Sequence, residues 1–124
     1  MSAYDPDASP VPTTWLQTDE AERIELVSNY HRRRNVTLPD AKLHAVIHVV
    51  VENQIALGEE IVIETLARLQ REGLGRHDAL HAIGSVLAEN LYELMQEDRD
   101  AADEPYRMYL QRLERLTASS WRAG

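Results

Sequence analysis

The sequence predicts an all-α fold, a small bundle of four to five helices behind a flexible Pro-rich N-terminal tail. Three observations carry that prediction. Leu, Ile and Val recur at three- and four-residue intervals through most of the chain, the period of a helix face. Gly and Pro fall between those stretches and punctuate them. The chain also has no Phe, so its core must come from Leu, Ile, Val and Ala, which pack well between helices.

Residues Met1 to Thr14 hold three of the five prolines and show no helical period, so they read as a flexible tail (1-14) lying on the surface. The remainder, 15-124, reads as a single helical domain. Thr18 offers a hydroxyl as N-cap, Asp19 and Glu20 suit the positive end of a helix dipole, and Ile24, Leu26 and Val27 begin an apolar stripe. The first helix is expected from about Asp19 to Arg33. Asn35 to Leu38 form a connection before Pro39, which disfavours the helical conformation for Leu38 and suits the first turn of a second helix.

That second helix is expected to run to about Leu57, capped by Gly58, with Leu43, Val46, Ile47, Val50, Val51 and Leu57 as its apolar surface. Its VIHVVVE segment has strand propensity, but the flanks are helix-favouring and the whole segment is too long for a strand. A third helix, Glu59 to Glu72, carries Ile63, Leu66 and Leu69 and stops at the GLG stretch, Gly73 to Gly75. The fourth, about Arg76 to Glu97, has the stripe Leu80, Ile83, Leu87, Leu91 and Leu94. After a polar segment, Asp98 to Glu104, a fifth helix from Tyr106 to Thr117 presents Tyr109, Leu110, Leu113 and Leu116.

Composition narrows the function classes. A formal net charge of -8 argues against a nucleic-acid partner, because phosphate binding draws on clustered Lys and Arg. The one basic run, His31 to Arg34, reads as cations complementing a helix C-terminus. Zero cysteines exclude disulfides and thiolate ligands. The N-terminal residues lack the basic and apolar regions of a signal peptide, and the longest apolar run is too short to span a bilayer. The expectation is a soluble, cytoplasmic protein that engages no membrane.

The five histidines are the chemical signal. His44 and His48 lie four apart in the second expected helix, and His77 and His81 repeat that spacing in the fourth. Residues i and i+4 share a helix face with Cβ atoms about 6 Å apart, so each pair can reach one cation. With short connections the second and fourth helices are expected to run parallel, which would set both pairs at similar heights. Glu52 continues the first row, giving H-x-x-x-H-x-x-x-E. His44, His48, His77, His81 and Glu52 are therefore the candidate metal ligands.

Nitrogen and carboxylate donors without sulfur suit a divalent transition metal: zinc, iron, nickel or manganese. Glu52 has three open roles, as a ligand, as a partner fixing a histidine tautomer, or as a base acting on bound water. Gln54 reads as a core hydrogen-bonding residue or a group orienting the site. HDALH resembles the zincin motif H-E-x-x-H, but Asp78 stands where the catalytic Glu belongs and is one methylene shorter, and no third ligand follows. Asp78 is more simply a first-turn acid. Ser85, one turn after His81, is the sole nucleophile-base pairing in view, without an oxyanion donor cluster.

Taken together, L-H-x-x-I-H-x-x-x-E-N-Q from Leu43, R-H-D-A-L-H-A-I-G from Arg76 and L-x-E-x-L from Leu87 resemble a family of small uncharacterised bacterial domains, domain of unknown function 1841. The resemblance covers about residues 42-95. It implies a bacterial source and that His44, His48, Gln54, His77 and His81 are pattern positions of that family. It implies no activity, and neither a reaction nor a small-molecule substrate can be named from the chain.

A different class stands beside the metal-binding one. A metal-free protein-interaction or dimerisation module, such as a homodimer, would use the acidic surface, the amphipathic first and fifth helices, and Trp15 and Trp121 as aromatic anchors, with the histidines in structural roles. The rival reading of both tryptophans is packing onto the bundle.

Overall fold

The computed structural model describes residues 3–33, 41–96 and 103–123. Among them are seven helices and no strand: α1 Pro12–Gln17, α2 Glu20–Arg33, α3 Ala41–Ala56, α4 Glu60–Arg71, α5 Arg76–Gln96, α6 Asp103–Arg115 and α7 Ala118–Ala123. The all-α prediction holds, and VIHVVVE is helical within α3. Two more helices appear than the four to five expected. Both extra ones, α1 and α7, span six residues, too short for a 3.6-residue period to register in the sequence. The connection Asn35–Leu38, Pro39 and the polar residues 98–102 lie outside the described residues. The chain divides into two compact units, Met1–Glu59 and Glu60–Gly124.

In the first unit, α1 and α2 both pack on α3. Pro12 opens α1, where a missing N–H costs nothing. The Thr18 hydroxyl donates to the Thr14 carbonyl at 2.8 Å and so closes α1 instead of capping α2. The cap of α2 is Asp19, whose Oδ2 accepts the Ala21 N–H at 3.2 Å. Arg23 donates to the carbonyls of Thr18 and Leu16 at 2.7 and 3.1 Å, a cation satisfying the last carbonyls of α1.

The core of this unit joins Tyr4, Trp15, Leu26, Val27, Tyr30, Ala45 and Val49. Tyr4, in the segment expected to be a flexible surface tail, is 2 % exposed, and Pro6 is fully buried. A lone aromatic among prolines leaves no periodic trace, yet it contributes a large apolar surface. The expected apolar surface of α3 is also rotated. Leu43 and Leu57 are exposed, while Ala45, His48, Val49, Val51 and Glu52 are buried.

Gly58 ends α3 at φ 83°, with its N–H on the Ile55 carbonyl and the Glu59 N–H on the Gln54 carbonyl. That paired pattern satisfies two terminal carbonyls and needs a left-handed residue. The same arrangement ends α4 at Gly73, φ 104°, with the Leu74 N–H bonded to the Leu69 carbonyl.

In the second unit, α4, α5 and α6 pack pairwise, and α7 packs on α5. The core takes Val62, Leu66 and Leu69 from α4, Leu80, Ile83, Val86 and Leu87 from α5, Tyr109 and Leu113 from α6, and Leu116 just beyond it. Ile63 and Leu91, expected in core stripes, are exposed. Arg68 donates to the Leu116 and Leu113 carbonyls at 2.5 and 3.0 Å, closing α6. Thr117 and Ser120 exchange hydrogen bonds between side chain and backbone at 3.1 and 3.0 Å, a capping box that starts α7 where the fifth helix was expected to end.

Candidate metal centre

Within the first unit, three imidazoles gather. α3 carries His44, His48 and Glu52 on one i, i+4 row. The row passes from half-buried His44 through His48, 3 % exposed, to Glu52, 1 % exposed. Opposite it, α2 presents His31, which is buried because Val27, Tyr30 and His31 share one helix face at i, i+3, i+4. The His31 ring centroid lies 4.7 Å from that of His44 and 5.5 Å from that of His48, and the His44 and His48 rings are 5.9 Å apart. His31 and His44 bring ring nitrogens within 4.8 Å of each other. A histidine cluster that could hold a metal ion is thus present.

Those separations have a physical reference. Two imidazoles bound to one zinc at about 2.0–2.1 Å, across angles of about 90–130°, have centroids about 4.5–6 Å apart. All three centroid separations fall in that interval, which ring packing fills as well; at the donor atoms, the His31 and His44 nitrogens lie within 4.8 Å of each other.

Hydrogen bonding orders two of the rings. His31 Nδ1 lies 2.9 Å from the Val27 carbonyl oxygen. A carbonyl only accepts, so Nδ1 carries the hydrogen and Nε2 the lone pair in the neutral ring. At His48, Nδ1 lies 3.1 Å from the Tyr4 hydroxyl, and that hydroxyl donates to Glu52 Oε2 at 2.5 Å. Tyr4 has one hydroxyl hydrogen, and the short bond to the carboxylate holds it.

The predicted residues are therefore placed as follows. His44, His48 and Glu52 share the expected face of one helix, with the Glu52 carboxylate accepting from Tyr4. Gln54 is half-buried on α3. In the second unit, His77 and His81 sit half-buried in the first turns of α5, ring centroids 4.2 Å apart, with ring nitrogens within 4.8 Å of each other. Asp78 is exposed in that first turn, as a dipole-complementing acid should be. The Ser85 hydroxyl donates to the Ala82 carbonyl at 2.7 Å, which does not aim it as a nucleophile. Trp15 is a core residue with 0 % exposure, its indole N–H on Asn53 Oδ1 at 2.9 Å, and so is no surface anchor.

Sequence reasoning missed two residues. By sequence His31 reads as part of the basic run that follows it, although its spacing from Val27 places it on the apolar face. Tyr4 had no signal of that kind.

No family model, no curated protein and no solved structure matches this chain. Among the described residues, no helix is long and apolar enough to cross a membrane.

Proposed function

We propose that this protein binds a divalent transition metal through its histidines, with His31, His44 and His48 as ligands in the first unit and His77 and His81 as the candidate pair of the second. The observation that supports this most is the gathering of three imidazoles, with the ring nitrogens of His31 and His44 within 4.8 Å of each other, the His48 ring 5.5 and 5.9 Å from theirs, and His31 Nδ1 held on the Val27 carbonyl. Neutral rings presenting a lone pair are what a cation requires. Zinc, iron, nickel and manganese all accept this donor set. Glu52 serves as an outer partner of His48 in this reading, and as the buried negative charge that offsets the cation. The reading names no reaction. The resemblance to domain of unknown function 1841 adds pattern positions and no activity.

The test is metal content by plasma mass spectrometry on untagged protein, for the wild type, a His31→Ala, His48→Ala variant and a His77→Ala, His81→Ala variant. Bound transition metal in the wild type, lowered in a variant that stays helical, supports the reading and identifies the ligands. Metal-free protein that gains no thermal stability from added zinc, nickel, manganese or ferrous iron overturns it.

The metal-free interaction module keeps one specific support, the exposed Leu43, Leu57 and Val11 of the first unit. It predicts a homodimer by light scattering whose mass is indifferent to histidine substitution.

A further inference from the structure

We infer that Tyr4 is a positioning residue for His48: its hydroxyl holds His48 in the Nδ1–H tautomer by passing the hydrogen bond on to the buried Glu52 carboxylate, so that Nε2 becomes the ligand atom. The consequence for metal affinity rests on the metal-binding reading above; the tautomer itself does not.

The chain of bonds is directional. Nδ1–H of His48 donates to the Tyr4 oxygen at 3.1 Å, and the Tyr4 O–H donates to Glu52 Oε2 at 2.5 Å. A carboxylate is the stronger acceptor, and the shorter bond locates the Tyr4 hydrogen there. Were Glu52 unable to accept, the same hydrogen would turn to His48 Nδ1 and move the imidazole hydrogen to Nε2. Metal-binding histidines characteristically donate their other nitrogen to a carboxylate or carbonyl, directly or through an intermediary. His31 does so to the Val27 carbonyl, and His48 does so through a tyrosine.

Packing holds the tyrosine to this role. Its ring stands edge-on to His48 at 5.5 Å and to Tyr30 at 6.2 Å, and tilts against Trp15 at 5.7 Å. Walled on three sides, with two rotatable torsions, the phenol has little choice of where to set its hydroxyl. Glu52, 1 % exposed, is a costly charge that this hydrogen bond helps to satisfy. A cation at Nε2 would polarise Nδ1–H and strengthen each bond in the chain.

The experiment uses the full chain labelled with nitrogen-15. Long-range proton–nitrogen spectra read the His48 tautomer, and competition with a chromophoric chelator reads zinc affinity, for the wild type, Tyr4→Phe, Glu52→Gln and Glu52→Leu. The expected result is Nδ1–H in the wild type, kept in Glu52→Gln, whose amide oxygen still accepts from Tyr4. Tyr4→Phe keeps the ring packing and removes only the oxygen, so it should shift His48 toward Nε2–H and weaken zinc binding about 10–100-fold. Glu52→Leu, with Tyr4 intact, should shift the tautomer the same way, which guards against a misfolded Tyr4 variant. An Nε2–H wild type, or a tautomer unmoved by both Tyr4→Phe and Glu52→Leu, overturns the inference. A wild type that shows the tautomer and its shifts but binds no zinc supports the positioning role and sinks the metal reading alone.

Discussion

Tyr4 and Glu52, 48 positions apart in the chain, meet in a hydrogen bond of 2.5 Å inside the first unit. The contact ties an irregular N-terminal segment to α3 at the base of the histidine row. It also explains why α3 turns polar side chains inward. His48 and Glu52 can be buried there because Tyr4 supplies both with a partner.

His31 is expected to matter for metal binding as much as the paired histidines of α3. His31→Ala should weaken zinc binding at least tenfold, measured by chelator competition, while leaving the helical circular dichroism in place. Affinity equal to the wild type would confine the site to other histidines.

Asn53 Oδ1 accepts from both Trp15 Nε1 and Arg23 Nη1, at 2.9 and 2.8 Å. Asn53→Ala leaves the buried indole N–H without its acceptor, at a cost of about 1–3 kcal/mol. Asn53→Asp keeps an acceptor oxygen and should cost less. Urea unfolding followed by Trp15 fluorescence in a Trp121→Phe background checks the order.

Gly58 and Gly73 hold left-handed conformations at the ends of α3 and α4. A Cβ at Gly58 meets nothing within 4 Å, and one at Gly73 meets only Arg122 Nη2 at 3.6 Å, so neither site is closed by crowding. Each Gly→Ala change should therefore cost about 1–2 kcal/mol from backbone conformation alone. Thermal unfolding should show a drop of several degrees for each; no drop would mean the caps relax.

The Ala118 backbone N–H, 2.8 Å from Glu72 Oε1, and then Arg68, hold the Glu72 carboxyl below its usual value of 4.5. A carboxyl depressed in the folded state stabilises it above the unfolded value and loses that contribution as pH falls through the folded value. Unfolding between pH 5 and lower values should thus be less pH-dependent in Glu72→Gln than in the wild type. Carbon-detected titration of Glu72 giving an ordinary glutamate value would refute the assignment.

Helix type and position were largely legible in the sequence. The ends of α3 and α4 follow from Gly58 and Gly73, since few other residues adopt their dihedral angles. The His44, His48 and Glu52 row follows from the i, i+4 period alone, because that period is a local property of one helix. What hydropathy misjudged was the rotation of α3 and the weight of single residues. Leu43 and Leu57 face outward and Glu52 inward, since burial is decided by which partners arrive from elsewhere in the chain.

By itself, then, the sequence determined an all-α chain, two histidine pairs at ligand spacing and the absence of thiolate chemistry, all of them consequences of composition and short-range period. Tertiary structure alone decided that Tyr4 and His31 join α3, that the Tyr4 hydroxyl meets both His48 and Glu52, and that Trp15 is core. Those outcomes depend on contacts between residues dozens of positions apart, where a local pattern carries no information about which side chain will supply the missing hydrogen bond.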